Sequence, residues 1–232
     1  FLRYIDPHND EVFADPEKLK YWMPVNLYNG GMEHVTLHLL YSRFWNQFLH
    51  DQGHVPVSEP YQRRTTHGLI MADNGVKMSK SKGNVVNPDE MVLEYGADAL
   101  RTYILFMGPF DEPVPWSTNG LVGVRRFLEK INRYVEDWSE GEDCGEIIEP
   151  ALKKVGDDIE AMRFNTAVST MMQMINALAG KPCTKKRLEK ILLMLCPFAP
   201  HLANELWEQI GNEGLVEEQS WPEVDEAKLV RD

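Results

Sequence analysis

Only three cysteines, Cys144, Cys183 and Cys196, occur in 232 residues. So sparse and odd a set forms neither a disulfide framework nor a zinc knuckle; it reads as reduced thiols, with Cys196 expected inside a buried helix. Apolar residues make up 43% of the chain, enough for a sizeable core. Even so, no stretch approaches the roughly 18 uninterrupted apolar residues of a membrane span. The N-terminus lacks the basic-then-apolar order of an export signal, so a cytoplasmic location is the default expectation. It also lacks a methionine: Phe1 opens what reads as a strand, Phe1 to Ile5, and the chain is expected to be a piece of something longer. Positive charge is scarce, with 24 Lys and Arg against 36 Asp and Glu, a net charge of −12. Broad attraction to a polyanion is thereby excluded, and any phosphate binding has to come from local patches. Two runs qualify: Arg125, Arg126, Lys130 and Arg133, and Lys181, Lys185, Lys186, Arg187 and Lys190. Either run alone is more commonly a solvated helix face.

The pattern along the chain changes character. Up to about residue 86 short apolar runs alternate with Gly- and Pro-rich turns; from about residue 119 onward the pattern is helical. In the first part Val25 to Tyr28 reads as a strand, Asn29-Gly30-Gly31 as a turn and Glu33 to His50 as a helix. Such a unit places ligands at the carboxyl end of a parallel sheet. A second strand is expected around Gly68 to Met71, ahead of the turn Asp73-Asn74-Gly75. Asn87-Pro88-Asp89-Glu90 carries an N-cap, a proline at the first helical position and a capping-box glutamate; Gly96 ends that helix and Ala97 to Met107 forms the next. Pro109, Pro113 and Pro115 mark a boundary. Beyond it, apolar stripes at helical spacing run from Leu121 to Val135, Leu152 to Met162, Phe164 to Ile175, Leu188 to Leu195 and Leu202 to Ile210. Joined by short polar links, they predict an antiparallel all-α bundle, with the methionines as gap-filling core residues.

Lys77-Met78-Ser79-Lys80-Ser81-Lys82-Gly83 packs three lysines into six residues spaced by small side chains. A loop of that kind brings several ammonium groups onto a polyphosphate and stabilises charge developing there. A solvated basic turn would explain the lysines but not the pentapeptide. Gly30-Gly31-Met32-Glu33-His34, continuing to His38, admits two readings. Histidines four apart on one helix face, beside a carboxylate, suggest a metal; the glutamate, however, precedes both and no third ligand is evident. Alternatively the glycines let a nucleotide approach the backbone while Glu33 accepts hydrogen bonds from ribose hydroxyls, and this reading is favoured.

The unchanged K-M-S-K-S at Lys77 to Ser81 resembles the second signature of the class I aminoacyl-tRNA synthetases. That resemblance implies an α/β fold, the second half of a Rossmann-like domain, followed by an all-α bundle. It also implies ATP as substrate with Mg2+ as its companion, Lys77 and Lys80 as catalytic groups, and Met78, Ser79 and Ser81 at the nucleotide. The string G-G-x-E-H-x-x-x-H-L-L-Y-x-R-F-W looks like the leucine-specific branch. It places Gly30, Gly31 and Glu33 at the adenosine ribose, and Tyr28, His34 and His38 around a leucine side chain. His67-Gly68-Leu69-Ile70 resembles the strand meeting adenine, with Ile70 reading the base edge. Many leucine enzymes have Gln at His67 and the valine and isoleucine enzymes His, so those specificities remain the alternative. Arg163-Phe164-Asn165-Thr166-Ala167, with Asn165 as a cap, and Pro197-Phe198-Ala199-Pro200-His201 resemble the anticodon-binding bundle, which implies tRNA-Leu as partner; the basic run Arg125, Arg126, Lys130 and Arg133 is the candidate for its contacts.

The expected division is 1–86 catalytic, 87–118 connecting and 119–232 bundle. H-I-G-H, the first signature, occurs nowhere. The N-terminal catalytic half and the editing domain are therefore expected elsewhere, in the same protein or a partner subunit, and the chain alone is expected to be inactive. A non-catalytic tRNA-binding module and a subunit of a split synthetase stand as competing readings.

Overall fold

The computed structural model describes residues 1–229. Contacts divide it into two units, residues 1–69 and the chain from Ile70 onward. The lysine turn, expected with the first part, packs with the helices of the second.

In the first unit, Asp15 caps α1 (Pro16–Trp22) by accepting from Glu17 N and Lys18 N, with Pro16 at the first helical position. The stretch Phe1 to Ile5 is not a strand but a 3-10 turn over Leu2–Ile5. Nonlocal bonds decide this: the Arg3 guanidinium reaches the carbonyls of Pro7, Asn9 and Phe13. Lys18 and Asn9 both donate to Asp6, holding its carboxyl far below the usual range.

β1 is Tyr28–Gly30 and pairs in parallel with β2, Arg64–Thr66, extended by a bridge between Val25 and Tyr61. The strand thus lies later than expected, and Gly30 belongs to it instead of to a turn. The helix expected from Glu33 is broken: Met32–Val35 is a 3-10 turn, and α2, His38–Asp51, begins after Leu37 adopts a non-helical conformation. His34 and His38 therefore do not share a helix face.

α2 is inverted relative to an ordinary surface helix. Its inward side buries Ser42 and Asn46, with Asn46 Nδ2 donating to Val57 O at 2.8 Å and Ser58 O at 3.0 Å, and Tyr61 OH donating to Ser42 Oγ at 2.9 Å. Its outward side carries Leu37, Leu40, Tyr41, Phe44, Trp45 and Phe48 at helical spacing, 47–64% exposed.

The second unit opens with β3, Ile70–Met71, paired in parallel with β4, Val114–Pro115. α3 (Pro88–Tyr95) starts where the sequence indicated, with Asn87 accepting from Asp89 N, and Gly96 turns the chain at φ +91° into α4, Ala97–Phe106. Five more helices follow among the described residues: α5 Thr118–Glu136, α6 Gly145–Glu160, α7 Phe164–Ala177, α8 Lys185–Leu195 and α9 Pro200–Gln209. α6 packs on α7 and α8, α4 on α5 and α7, and α8 on α9. Leu121, Val124, Phe127, Leu128, Ile131 and Val135 form the buried face of α5, each contributing about 1.5–3 kcal/mol of burial as an upper figure. Cys196 is buried at the end of α8, and all three thiols are free.

Two polar knots explain the short motifs of the bundle. Asp158, buried in α6, accepts from Lys154, Arg163 and Thr166 at 2.7, 2.9 and 2.8 Å. That bond set joins α6 to α7; Arg163, not Asn165, occupies the N-cap position. Asp98 on α4 accepts from His201 Nδ1 at 2.8 Å and Leu202 N at 2.7 Å, tying α4 to the start of α9, which Pro200 opens.

The basic run from Lys181 to Lys190 is not a solvated patch throughout. Arg187 and Lys190 are 7% and 8% exposed and both donate to Glu149, which is fully buried; Arg187 also meets Asp143 and Asp225. Arg187 holds the Asp143 carboxyl down at about 2, and burial, followed by repulsion from Arg187, lowers Lys190. Replacing Glu149 by Gln strands two cations in the interior, so urea unfolding should show a loss of about 3–5 kcal/mol. A loss below about 1 kcal/mol would mean that water, not the carboxylate, balances them.

Candidate functional site

In the first unit most of the expected residues gather along β1 and the 3-10 turn that follows it. Tyr28 OH and His38 Nδ1 are 2.9 Å apart, with parallel rings whose centroids are 5.7 Å apart. Tyr61 adds a ring 4.5 Å from Tyr28, Phe1 packs on Tyr61 and Tyr41 meets His38 edge-on. Phe1 and Tyr61 were not among the expected site residues. Only the pairing of Val25 with Tyr61, invisible along the sequence, brings the latter in. Burial raises the Tyr28 and Tyr61 phenols above their usual range, so both stay protonated donors.

Gly30 lies between the Tyr28 and His34 rings: a Cβ there would stand 3.8 Å from one and 3.9 Å from the other. His34 Nδ1 and Arg64 Nε are buried without a partner among the described residues. Unpaired buried nitrogens cost roughly 1–3 kcal/mol each and call for a ligand or ordered water. Gly31 is buried, and the exposed Glu33 folds its carboxylate over it, so that a Cβ on Gly31 would come within 2.4–2.8 Å of that group. The backbone face at Gly31 and the Glu33 carboxylate thus occupy one spot. His67 is exposed and its Nδ1 lies 2.9 Å from the neighbouring Gly68 carbonyl.

In the second unit Ile70 lies in β3, and Met71 forms an antiparallel bridge with Lys77 across the turn Asp73-Asn74-Gly75. Lys80–Lys82 is a 3-10 turn closed by Gly83 at φ +63°, a conformation that favours glycine. Lys77, Lys80 and Lys82 are all exposed, whereas Met78 is half-buried and packs against the helical core. Ser79 and Ser81 place their hydroxyl oxygens 2.8 Å apart. The turn therefore presents three ammonium groups to solvent while one methionine anchors it.

Of the four cations expected at a nucleic acid, Arg125 is engaged, donating to Glu129 at 3.1 Å and to the Glu94 carbonyl at 2.9 Å. Arg126, Lys130 and Arg133 line a recess of about 520 Å³ together with Tyr134, Trp138 and Lys181. Lys130 reaches Asn176 Oδ1, and Arg133 Nε donates to the Glu129 carbonyl one helical turn back. No group of three His, Cys, Asp or Glu among the described residues is placed to hold a metal ion.

Residues 10–116 match the model of the class I tRNA synthetases (I, L, M and V), and residues 147–232 match that of the anticodon-binding domain of tRNA ligases. The chain belongs to the class I tRNA synthetases. It is 51% identical to the leucine--tRNA ligase of Alkaliphilus oremlandii (strain OhILAs) over 235 aligned residues, 99% of this chain and 29% of that protein. The chain thus spans about 29% of the length of that curated relative. Among solved structures it is similar to the ternary complex of Agrobacterium radiobacter K84 agnB2 LeuRS-tRNA-LeuAMS, at 33% identity and a TM-score of 0.86. That match covers 99% of this chain and 33% of the other. Mycobacterium tuberculosis methionyl-tRNA synthetase in complex with methionyl-adenylate shares the fold, at 19% identity and a TM-score of 0.63 over 86% of this chain and 47% of that one.

Because Gly31 meets only the mobile end of Glu33, Gly31→Ala should displace that carboxylate without unfolding the unit. We expect urea unfolding to change by less than about 1 kcal/mol. A larger loss would show that more than the Glu33 carboxylate resists the added Cβ.

Proposed function

We propose that this chain supplies part of the active site and the tRNA-binding bundle of a leucine--tRNA ligase, which activates leucine with ATP and transfers it to tRNA-Leu in the cytoplasm. The observation that carries the reading is the K-M-S-K-S turn, with Lys77 and Lys80 both presented to solvent. The 51% identity to a leucine--tRNA ligase favours leucine over valine or isoleucine.

In the activation step the leucine carboxylate attacks the α-phosphorus of ATP and pyrophosphate leaves. Negative charge grows on the phosphoryl oxygens, and ammonium groups already in place stabilise it most where water is excluded. Lys77 and Lys80 are assigned this role, with Met78, Ser79 and Ser81 holding the turn against the nucleotide. Gly30 and Gly31 let the nucleoside approach the backbone, and Glu33 accepts from the ribose hydroxyls. His67 and Ile70 are assigned to adenine, with a backbone group of Ile70 reading the base edge. Tyr28, His34 and His38 shape the leucine pocket, and the stacked Tyr28 and His38 rings suit an aliphatic side chain. Mg2+ is assigned to the triphosphate. Arg125, Arg126, Lys130 and Arg133 are assigned to the tRNA backbone, Arg126 and Lys130 through the recess on α5.

Within this reading residues 1–86 form the catalytic part, 87–118 the connection and 119–232 the bundle. The remainder of the α/β domain, bearing the first signature, is assigned to the exposed aromatic side of α2. Parallel sheets are normally covered on both faces, and a two-stranded one is marginal alone.

In the full-length ligase carrying this chain, Lys77→Ala or Lys80→Ala should slow leucine-dependent ATP-pyrophosphate exchange by about 10²–10³. Isoleucine, valine and methionine should support exchange far less well than leucine. Exchange undiminished in the double variant would refute the catalytic assignment, and equal rates with valine would refute the specificity.

A further inference from the structure

Three exposed lysines within six residues share one short turn, whose two limbs are held by side-chain as well as backbone bonds. Asn84 lies just past Gly83, whose positive φ turns the chain back on itself. Its side chain spans the turn: Oδ1 accepts from Ser79 N at 2.8 Å, and Nδ2 donates to the Lys77 carbonyl at 3.4 Å. Both contacts are to backbone atoms, and they fall on either side of Met78, inside the segment that carries the two ammonium groups. Lys77 is also held from its other side by the bridge to Met71. Lys82 N and Gly83 N donate to the carbonyls of Ser79 and Lys80. Asn84 thus closes a ring that ties the backbone at Lys77 to the backbone at Ser79 and Lys80.

We propose that Asn84 is a positioning residue for the activation step, setting the separation of the Lys77 and Lys80 ammonium groups before the nucleotide arrives. The inference rests on the lysine assignment made above. An amide suits the task because one planar group supplies both an acceptor and a donor without adding charge. Aspartate keeps the acceptor for Ser79 N but loses the donor. Alanine loses both. Preorganisation matters here because cations that must be gathered during the reaction stabilise its transition state less than cations already in place.

The test uses the full-length ligase carrying this chain, with Asn84→Ala, Asn84→Asp and the Lys77→Ala, Lys80→Ala double variant side by side. Two steps are timed: leucine-dependent ATP-pyrophosphate exchange, and transfer of leucine from preformed adenylate to tRNA. Loss of both bonds predicts exchange in Asn84→Ala slower by about tenfold in kcat, and loss of the longer bond alone predicts about threefold in Asn84→Asp. The KM for leucine, the transfer step and the urea midpoint should stay at wild-type values. If the double variant loses exchange while Asn84→Ala keeps it within about twofold, the inference falls and the lysine assignment stands. If exchange and transfer decline together, or the urea midpoint drops, Asn84 is merely structural and the inference also falls. If the double variant keeps exchange, the lysine assignment itself is wrong and Asn84 has nothing to position.

Discussion

Crowding of like charge on a short turn is the constraint from which the functional reading grows. Ammonium groups on Lys77, Lys80 and Lys82 gain nothing from one another, and all three stand in solvent. The surroundings hold the backbone instead: Met78 sinks toward the helical core, Gly83 permits the reversal, and the Asn84 amide ties the limbs. A polyanion bound at the turn would meet several ammonium groups at once, so binding and charge neutralisation would go together.

Charge elsewhere is spent differently. The chain is acidic by 12, and part of its scarce positive charge is used inside the bundle. Arg187 and Lys190 satisfy the buried Glu149, and Arg163 and Lys154 satisfy Asp158. At the surface, three lysines share the short turn, and Arg126, Lys130 and Arg133 line the recess beside α5 together with Tyr134 and Trp138. Such economy favours local, directed phosphate contacts over a general electrostatic pull.

Local signals survived folding well. The Asn87-Pro88 start of α3, the Gly96 reversal and the buried stripe of α5 are where periodicity and capping rules put them. Three failures trace to a partner distant in sequence, whereas the break between His34 and His38 is local, at Leu37. The Phe1 to Ile5 stretch bends because Arg3 finds carbonyls up to ten residues ahead. Arg187 and Lys190 looked like surface cations because Glu149 lies 38 and 41 residues away. Asn46 on α2 gave no warning that it would be buried, since its acceptors at Val57 and Ser58 lie past the end of the helix. At the candidate site the residue types were legible from motif, but the Tyr28 to His38 bond and the arrival of Tyr61 depended on strand pairing.

The central claim is that the lysine turn is a polyphosphate-binding element. The direct measurement is amide hydrogen exchange in the full-length protein carrying this chain, with and without a non-hydrolysable ATP analogue. The account predicts that residues 77–84 gain protection as the analogue is added, and that the gain is lost in the Lys77→Ala, Lys80→Ala double variant. Unchanged protection of that segment, or a gain that survives the loss of both lysines, would contradict it.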